Sequence, residues 1–222
     1  MCGRYTIISK PKEISKTFGV EVNVNLIPQY NAVPSYWLPV ISDQSPQELS
    51  LYRWGLIPNW ANDEKFAYKT TNARSESILE KASFKVPIRQ KRCLVLANCY
   101  FEWQQLQDKS KQPYLIYYEP QRLFAMAGIW DSWIDKNTGE EVKTFSIITT
   151  AGNEDVKHLH ERMPVILPVE KQQEYLSKNT AIEQIQTLLK PTNLGEMKFM
   201  PVSNLVNSPA NNDKSVLQPI EL

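Results

Sequence analysis

The chain has 222 residues and a formal net charge of +1, with 42% hydrophobic and 22% charged residues. This is the composition of an ordinary soluble globular protein long enough to bury a sizeable core, and any positive surface for nucleic acid must be local. No apolar run approaches the ~18 residues needed to span a bilayer, and the start, MCGRYTIISKPKE, lacks the pattern of a secretory signal. Three cysteines, Cys2, Cys93 and Cys99, form no disulfide framework and point to a reducing, cytoplasmic setting.

Gly is scarce (7) and Pro common (15), so fixed turns are expected rather than flexible hinges. Ser9 to Phe18 reads as a short helix, with Pro11 in its first turn, Ile14 and Phe18 four apart, and Gly19 as the stop. Ser75 to Ala82 reads as a second, capped by Ser75, with Ile78, Leu79 and Ala82 facing inward. Strands are expected at Leu49 to Trp54, Cys93 to Ala97, Tyr114 to Tyr118, Leu123 to Trp130 and Thr144 to Thr150. Glu119-Pro120 and Asn137-Thr138-Gly139 supply turn signals between them. Pro168 to Leu176 and Thr180 to Leu189 read as helices, and Lys198 to Val202 and Ser215 to Ile220 as extended pieces. The expected architecture is α+β, mainly an antiparallel, barrel-like sheet with peripheral helices, and no internal boundary divides residues 1–222.

Few residues have the chemistry of a reaction centre. Removal of Met1 would leave Cys2 as a 1,2-aminothiol, whose amine titrates near ~8. Such a group attacks an aldehyde twice, first as amine to an imine, then as thiol to a thiazolidine. It also suits an N-terminal nucleophile hydrolase acting on an amide, and the bland alternative is a small buried residue. His158 and His160 are the only histidines, in HLHERMPVIL. His160 is a candidate proton shuttle, or else structural, and neither cysteine spacing fits a zinc pattern, so no metal is expected. Glu102, in CYFEW, either is buried with its pKa raised or lies on a solvent face. Asn72, in TTNARSE, orients a nucleophile or forms a turn. Arg4, Arg74 and Arg162 each adjoin a candidate, basic residues gather between Lys81 and Arg92, and Trp54, Trp60 and Trp103 lie near the same motifs. Arginines with aromatic platforms suit a single-stranded nucleic acid, though tryptophans serve cores equally well.

Taken in order, Cys2-Gly3-Arg4-Tyr5, Tyr30-Asn31-Ala32-Val33-Pro34, Arg53-Trp54-Gly55-Leu56-Ile57-Pro58, Asn72-Ala73-Arg74-Ser75-Glu76, Phe101-Glu102-Trp103 and His160-Glu161-Arg162-Met163-Pro164 resemble the motifs of the SOS response-associated peptidase (SRAP) family. That resemblance implies an SRAP-like domain over residues 1–222. It implies covalent capture, through Cys2, of the ring-opened aldehyde of abasic sites in single-stranded DNA. Glu102 is then the proton-transfer residue, His160 the group protonating the deoxyribose ring oxygen, and Asn72 the residue positioning Cys2 and the sugar. The implied DNA contacts are Arg4, Pro34, Trp54, Arg74, Trp103, Thr149 and Arg162. A cytoplasmic monomer without cofactor, metal or membrane, associated with the nucleoid when bound to damaged DNA, suffices. One departure stands out: Asn98-Cys99 replaces the glycine usual before the aromatic pair leading to Glu102. A left-handed backbone would be costly there, and an inward-facing loop would bring Cys99 near the site.

Overall fold

The computed structural model describes residues 2–119, 123–191 and 196–221. Met1, expected to be removed, and Pro120, expected in a turn, lie outside them. In chain order the elements are β1 (Tyr5–Ile7), α1 (Pro11–Phe18), β2 (Gln29–Ala32), β3 (Trp37–Ser42), β4 (Ser45–Trp54), β5 (Asn72–Arg74), α2 (Pro87–Gln90), β6 (Arg92–Ala97), β7 (Cys99–Gln105), β8 (Lys111–Glu119) and β9 (Phe124–Ile134). There follow β10 (Glu141–Ala151), β11 (Arg162–Pro164), β12 (Ile166–Leu167), α3 (Val169–Leu176), α4 (Ile182–Leu188) and β13 (Glu196–Pro201). The architecture is α+β. Strands β4, β3, β6, β9 and β10 pair in turn, and β10 pairs back to β4, closing a barrel. The β10–β4 closure is parallel, Thr144 opposite Arg53 and Phe145 opposite Trp54, while the other pairs in the ring are antiparallel.

The apolar run Cys93-Leu94-Val95-Leu96-Ala97 makes β6 a barrel strand buried along its whole length. Gly128 on β9 belongs to the same interior. A Cβ there would stand 2.8 Å from Val95 Cγ2 and 2.9 Å from Cys93 Sγ, so only glycine lets the walls approach this closely. Arg92 begins β6 and is 1% exposed. Its guanidinium donates to the carbonyls of Tyr175, Ser177, Ile88 and Arg89 at 2.6–2.9 Å. A buried cation is tolerable only when its donors are satisfied; here they pin α2 and α3 to the barrel.

A second, antiparallel sheet runs β13-β8-β7-β1-β2. Alternation along its strands gives it two buried faces. Tyr5, Tyr100, Ile116 and Tyr118 turn toward the barrel core. Cys99, Phe101 and Leu115 turn the other way, against Val202, Val206 and Val216 of the C-terminal segment. Asn31, fully buried on β2, fastens that segment through Nδ2 to the carbonyls of Val206, Ser208 and Asn211.

Two expected elements differ. The helix expected at Ser75 to Ala82 is a single 3-10 turn, Ser75–Ser77, with no side-chain cap. Pairing of β5 with β10 holds the backbone extended through Arg74, and Ile78 reaches the core after that one turn while Ala82 stays exposed. The piece at Ser215 to Ile220 begins as a 3-10 turn, Lys214–Leu217, because Asp213 caps it by accepting from Ser215 N. Only Pro219 bridges to Val202. Strands β1, β2, β3, β5 and β7 are among those that formed beyond the expected set, and no helix among the described residues is long and apolar enough to cross a membrane.

Candidate active site

Cys2 precedes β1 and is 0% exposed. β1 is held between β2 and β7, with Tyr5 opposite Ala32 on one side and Tyr100 on the other. The Asn72 side chain reaches across from β5, and its Nδ2 donates to the Cys2 carbonyl at 2.9 Å. β5 lies parallel to β10, with Asn72 opposite Ile147, so the anchor rests on the barrel wall. Asn72 Oδ1 is buried and accepts no hydrogen bond from the described residues. The Cys2 thiol sits 4.0 Å from the Arg4 carbonyl. Burial drives its pKa well up, and the negative charge of Glu102 adds to this. The resting sulfur is therefore a thiol that needs a base, not a standing thiolate.

Glu102 provides a carboxyl of the right kind. It lies on β7 two residues beyond Tyr100, on the barrel-facing side, and is 1% exposed. Burial pushes its pKa from 4.5 up to about 7, so it exchanges a proton near neutrality. His160 comes from the loop between β10 and β11, half-buried, with Nε2 3.7 Å from Glu102 Oε2. Its Nδ1 accepts the Arg162 backbone N–H at 2.9 Å. Burial lowers its pKa, which favours neutral imidazole. The same Nδ1 lies 3.0 Å from the Arg162 carbonyl, so either tautomer finds a partner in the Arg162 backbone, and Nε2 is the nitrogen facing Glu102. The neighbouring His158 is exposed and packs edge-on against Phe199, with centroids 5.1 Å apart. Four separate segments thus bring Cys2, Asn72, Glu102 and His160 to one end of the barrel. Among the described residues, no three His, Cys, Asp or Glu side chains gather as metal ligands.

The family model described as SOS response associated peptidase (SRAP) matches residues 1–209. The chain belongs to the SOS response-associated peptidase family. This SRAP chain is 41% identical to the abasic site processing protein YoqW of Bacillus subtilis, over 98% of its own length and 99% of the relative's. It is 37% identical to the abasic site processing protein HMCES of Gallus gallus, over 88% of its length and 67% of the relative's. A crystal structure of a Bacteroides thetaiotaomicron protein superposes with a TM-score of 0.90 at 34% identity, covering 99% of this chain and all of the other.

The remaining expected residues fall into three groups. Arg74 is exposed, and Pro34 is half-buried just ahead of Ser35, whose φ is 79°. Arg4, Arg162 and Trp103 are engaged within the protein. Arg4 donates to Asn31 Oδ1 and the Asn207 carbonyl, Arg162 to Glu76 and Thr149, and Trp103 to Asn207 Oδ1. Trp54 and Thr149 do not offer a surface to DNA. Both are 0% exposed. Trp54 packs between Tyr5 and Phe145 and donates Nε1–H to the Thr71 carbonyl at 2.9 Å, and Thr149 lies mid-sheet in β10.

The exposed tryptophan of that motif is Trp60, six residues on and 54% exposed. With Tyr68, Lys69, Asn72, Arg74 and Lys81 it lines a groove of about 960 Å³ that shares Asn72 with the site. The resemblance points to Trp54 rather than Trp60, and the sequence cannot show which of the two is exposed, because that depends on which face each presents. The expected basic cluster also divides: Lys81 lines the groove, whereas Lys91 pairs with Asp131 at 2.6 Å and Arg92 is buried. At Asn98-Cys99 no left-handed backbone is required, since the only positive-φ non-glycine residues described are Ser35 and Lys109. Asn98 Oδ1 accepts from Ile8 N and Ser9 N, and Cys99 faces the C-terminal cluster, away from Glu102.

Proposed function

We propose that this protein captures abasic sites in single-stranded DNA as a thiazolidine on Cys2, once Met1 has been removed. The observation that carries this reading is the convergence of an anchored Cys2, a buried Glu102 poised near neutrality and a neutral His160. The family's relatives named abasic site processing proteins support the same substrate.

In this reading His160, protonated in the reacting complex, gives a proton to the ring oxygen of the deoxyribose while the anomeric hydroxyl gives its own to the Glu102 carboxylate, which returns it to His160 as the sugar opens to its aldehyde. The Cys2 amine adds to that carbonyl carbon, and the carbinolamine loses water to give the imine. The thiol then adds to the imine carbon, its proton passing through Glu102 to the nitrogen. One molecule of water leaves and nothing is oxidised or reduced. Asn72 Nδ2 holds the backbone of the nucleophile, and its buried Oδ1 is an acceptor for a sugar hydroxyl. Holding both reactants in one geometry is the chief contribution. The groove with Trp60, Tyr68, Lys69, Arg74 and Lys81 offers aromatic faces for bases and cations for phosphates.

The test mixes the protein, with loss of Met1 confirmed by intact mass, with a single-stranded oligonucleotide carrying one abasic site, and resolves the products on a denaturing gel. A heat-stable adduct that needs both Cys2 and the lesion is expected. Cys2→Ala should abolish it while keeping most strand affinity. Full adduct from Cys2→Ala, or Cys2-dependent turnover of an amide with no adduct, overturns the reading.

A further inference from the structure

The Arg162 side chain is half-buried beside β10 and engaged by an acidic partner. Its Nη1 donates to Glu76 Oε1 at 2.6 Å and its Nη2 to Glu76 Oε2 at 3.0 Å, while Nη2 also reaches the Thr149 carbonyl at 2.7 Å. Two parallel bonds between guanidinium and carboxylate fix direction as well as distance. The Glu76 carboxyl is held below its ordinary pKa, chiefly by the hydrogen bonds from Arg162.

The place of this pair in the sheet gives it a consequence. Thr149 of β10 pairs with Arg74 of β5 on one edge and with Pro164 of β11 on the other. Glu76 lies in the 3-10 turn that directly follows β5, the strand whose Asn72 holds Cys2. Arg162 begins β11, and its own backbone N–H is the donor that His160 Nδ1 accepts. The ion pair therefore spans β10 and ties the segment that holds Cys2 to the segment that orients His160.

We infer that Glu76 is a positioning residue for the covalent reaction, acting through the Arg162 fork to set the tautomer and distance of His160 relative to Cys2 and Glu102. This rests on the function proposed above. The pair contributes little to overall stability, because Glu76 is 54% exposed and exposed ion pairs are weak. Its effect is on geometry, where displacement of a reacting group by about 1 Å lowers rates by about 100-fold.

The experiment compares wild type, Glu76→Gln and Glu76→Asp in three readouts. These are single-turnover adduct formation at saturating abasic oligonucleotide, affinity for the undamaged strand, and the imidazole nitrogen NMR signals of His160 across pH. Glu76→Gln is expected to slow adduct formation about 10- to 100-fold with strand affinity within about twofold of wild type. It should also shift the His160 titration, and Glu76→Asp should recover part of the rate. An unchanged rate overturns the inference. So does tighter strand binding with a faster reaction, which would show that Glu76 withholds Arg162 from phosphate. Should wild type itself form no Cys2-dependent adduct, the proposed function fails on that lane alone. The NMR arm still decides whether Glu76 orders His160, and a His160 titration identical in Glu76→Gln overturns the positioning role.

Discussion

Glu102 carries an unusual burden for a carboxyl, and the burden is measurable. Its pKa in the folded protein is pushed from 4.5 up to about 7 by burial. Between these two values the folded protein holds a proton that the unfolded chain has lost. Stability therefore falls as pH rises through the window, by about 1.4 kcal/mol per pH unit at most. Across the window this amounts to about 3 kcal/mol, fully present below pH ~4.5 and fully lost above pH ~7. Glu102→Gln keeps the shape and removes the titration. The expected result is that the stability of Glu102→Gln relative to wild type rises by about 3 kcal/mol between pH 4.5 and pH 8. His160, whose pKa burial lowers, bends both curves and, standing 3.7 Å from Glu102, calls for the same comparison in a His160→Gln background. Urea unfolding followed by tryptophan fluorescence at several pH values gives the quantity directly. A difference that stays flat with pH would refute the claim that Glu102 is buried as a proton carrier. In adduct formation, the same variant should lose a rate inflection near pH ~7.

Two further perturbations separate structure from recognition. Trp54→Ala removes a fully buried indole and should cost about 3–5 kcal/mol of stability, while Trp60→Ala should leave the melting temperature nearly unchanged and weaken single-strand binding by about 1–3 kcal/mol. Equal strand affinity in Trp60→Ala would remove the groove from the binding path. Asn98→Gly tests the loop that departs from the family pattern: it deletes side-chain bonds to Ile8 N, Ser9 N and Ser9 Oγ and should cost about 2–4 kcal/mol in thermal or urea unfolding. A gain in stability would mean that the loop is strained by its side chains.

Much of the fold was legible where local chemistry decides the outcome. Gly19, with φ at 67°, stops α1 where the sequence placed the stop, and α3 ends at the expected Leu176. The barrel strands β6 and β9 are long enough in apolar residues to be seen without a partner. What escaped was decided by contacts distant in sequence. β1 has only three residues, too few for any pattern, and exists because β2 and β7 flank it. Asn72 looked like a turn residue next to a helix cap, yet pairing with β10 makes it a strand residue aimed at Cys2. In the site, residue types gave the cast, whereas burial gave the roles. Nothing in CYFEW distinguishes a carboxyl that is 1% exposed from one in water, and nothing in the spacing of Glu76 and Arg162 announces that they meet.

Asn31 ties the residues around Val206 to Asn211 onto β2, and Arg4 reaches the same segment through the Asn207 carbonyl. The partners of Arg4, Asn31 and Asn207, therefore lie far apart in the message. A ribosome that has made Cys2, Asn72, Glu102 and even His160 has still not made the segment that seals the sheet carrying β1. During synthesis Cys2 is thus held by an unfinished scaffold, and its final packing waits for residues 206–211.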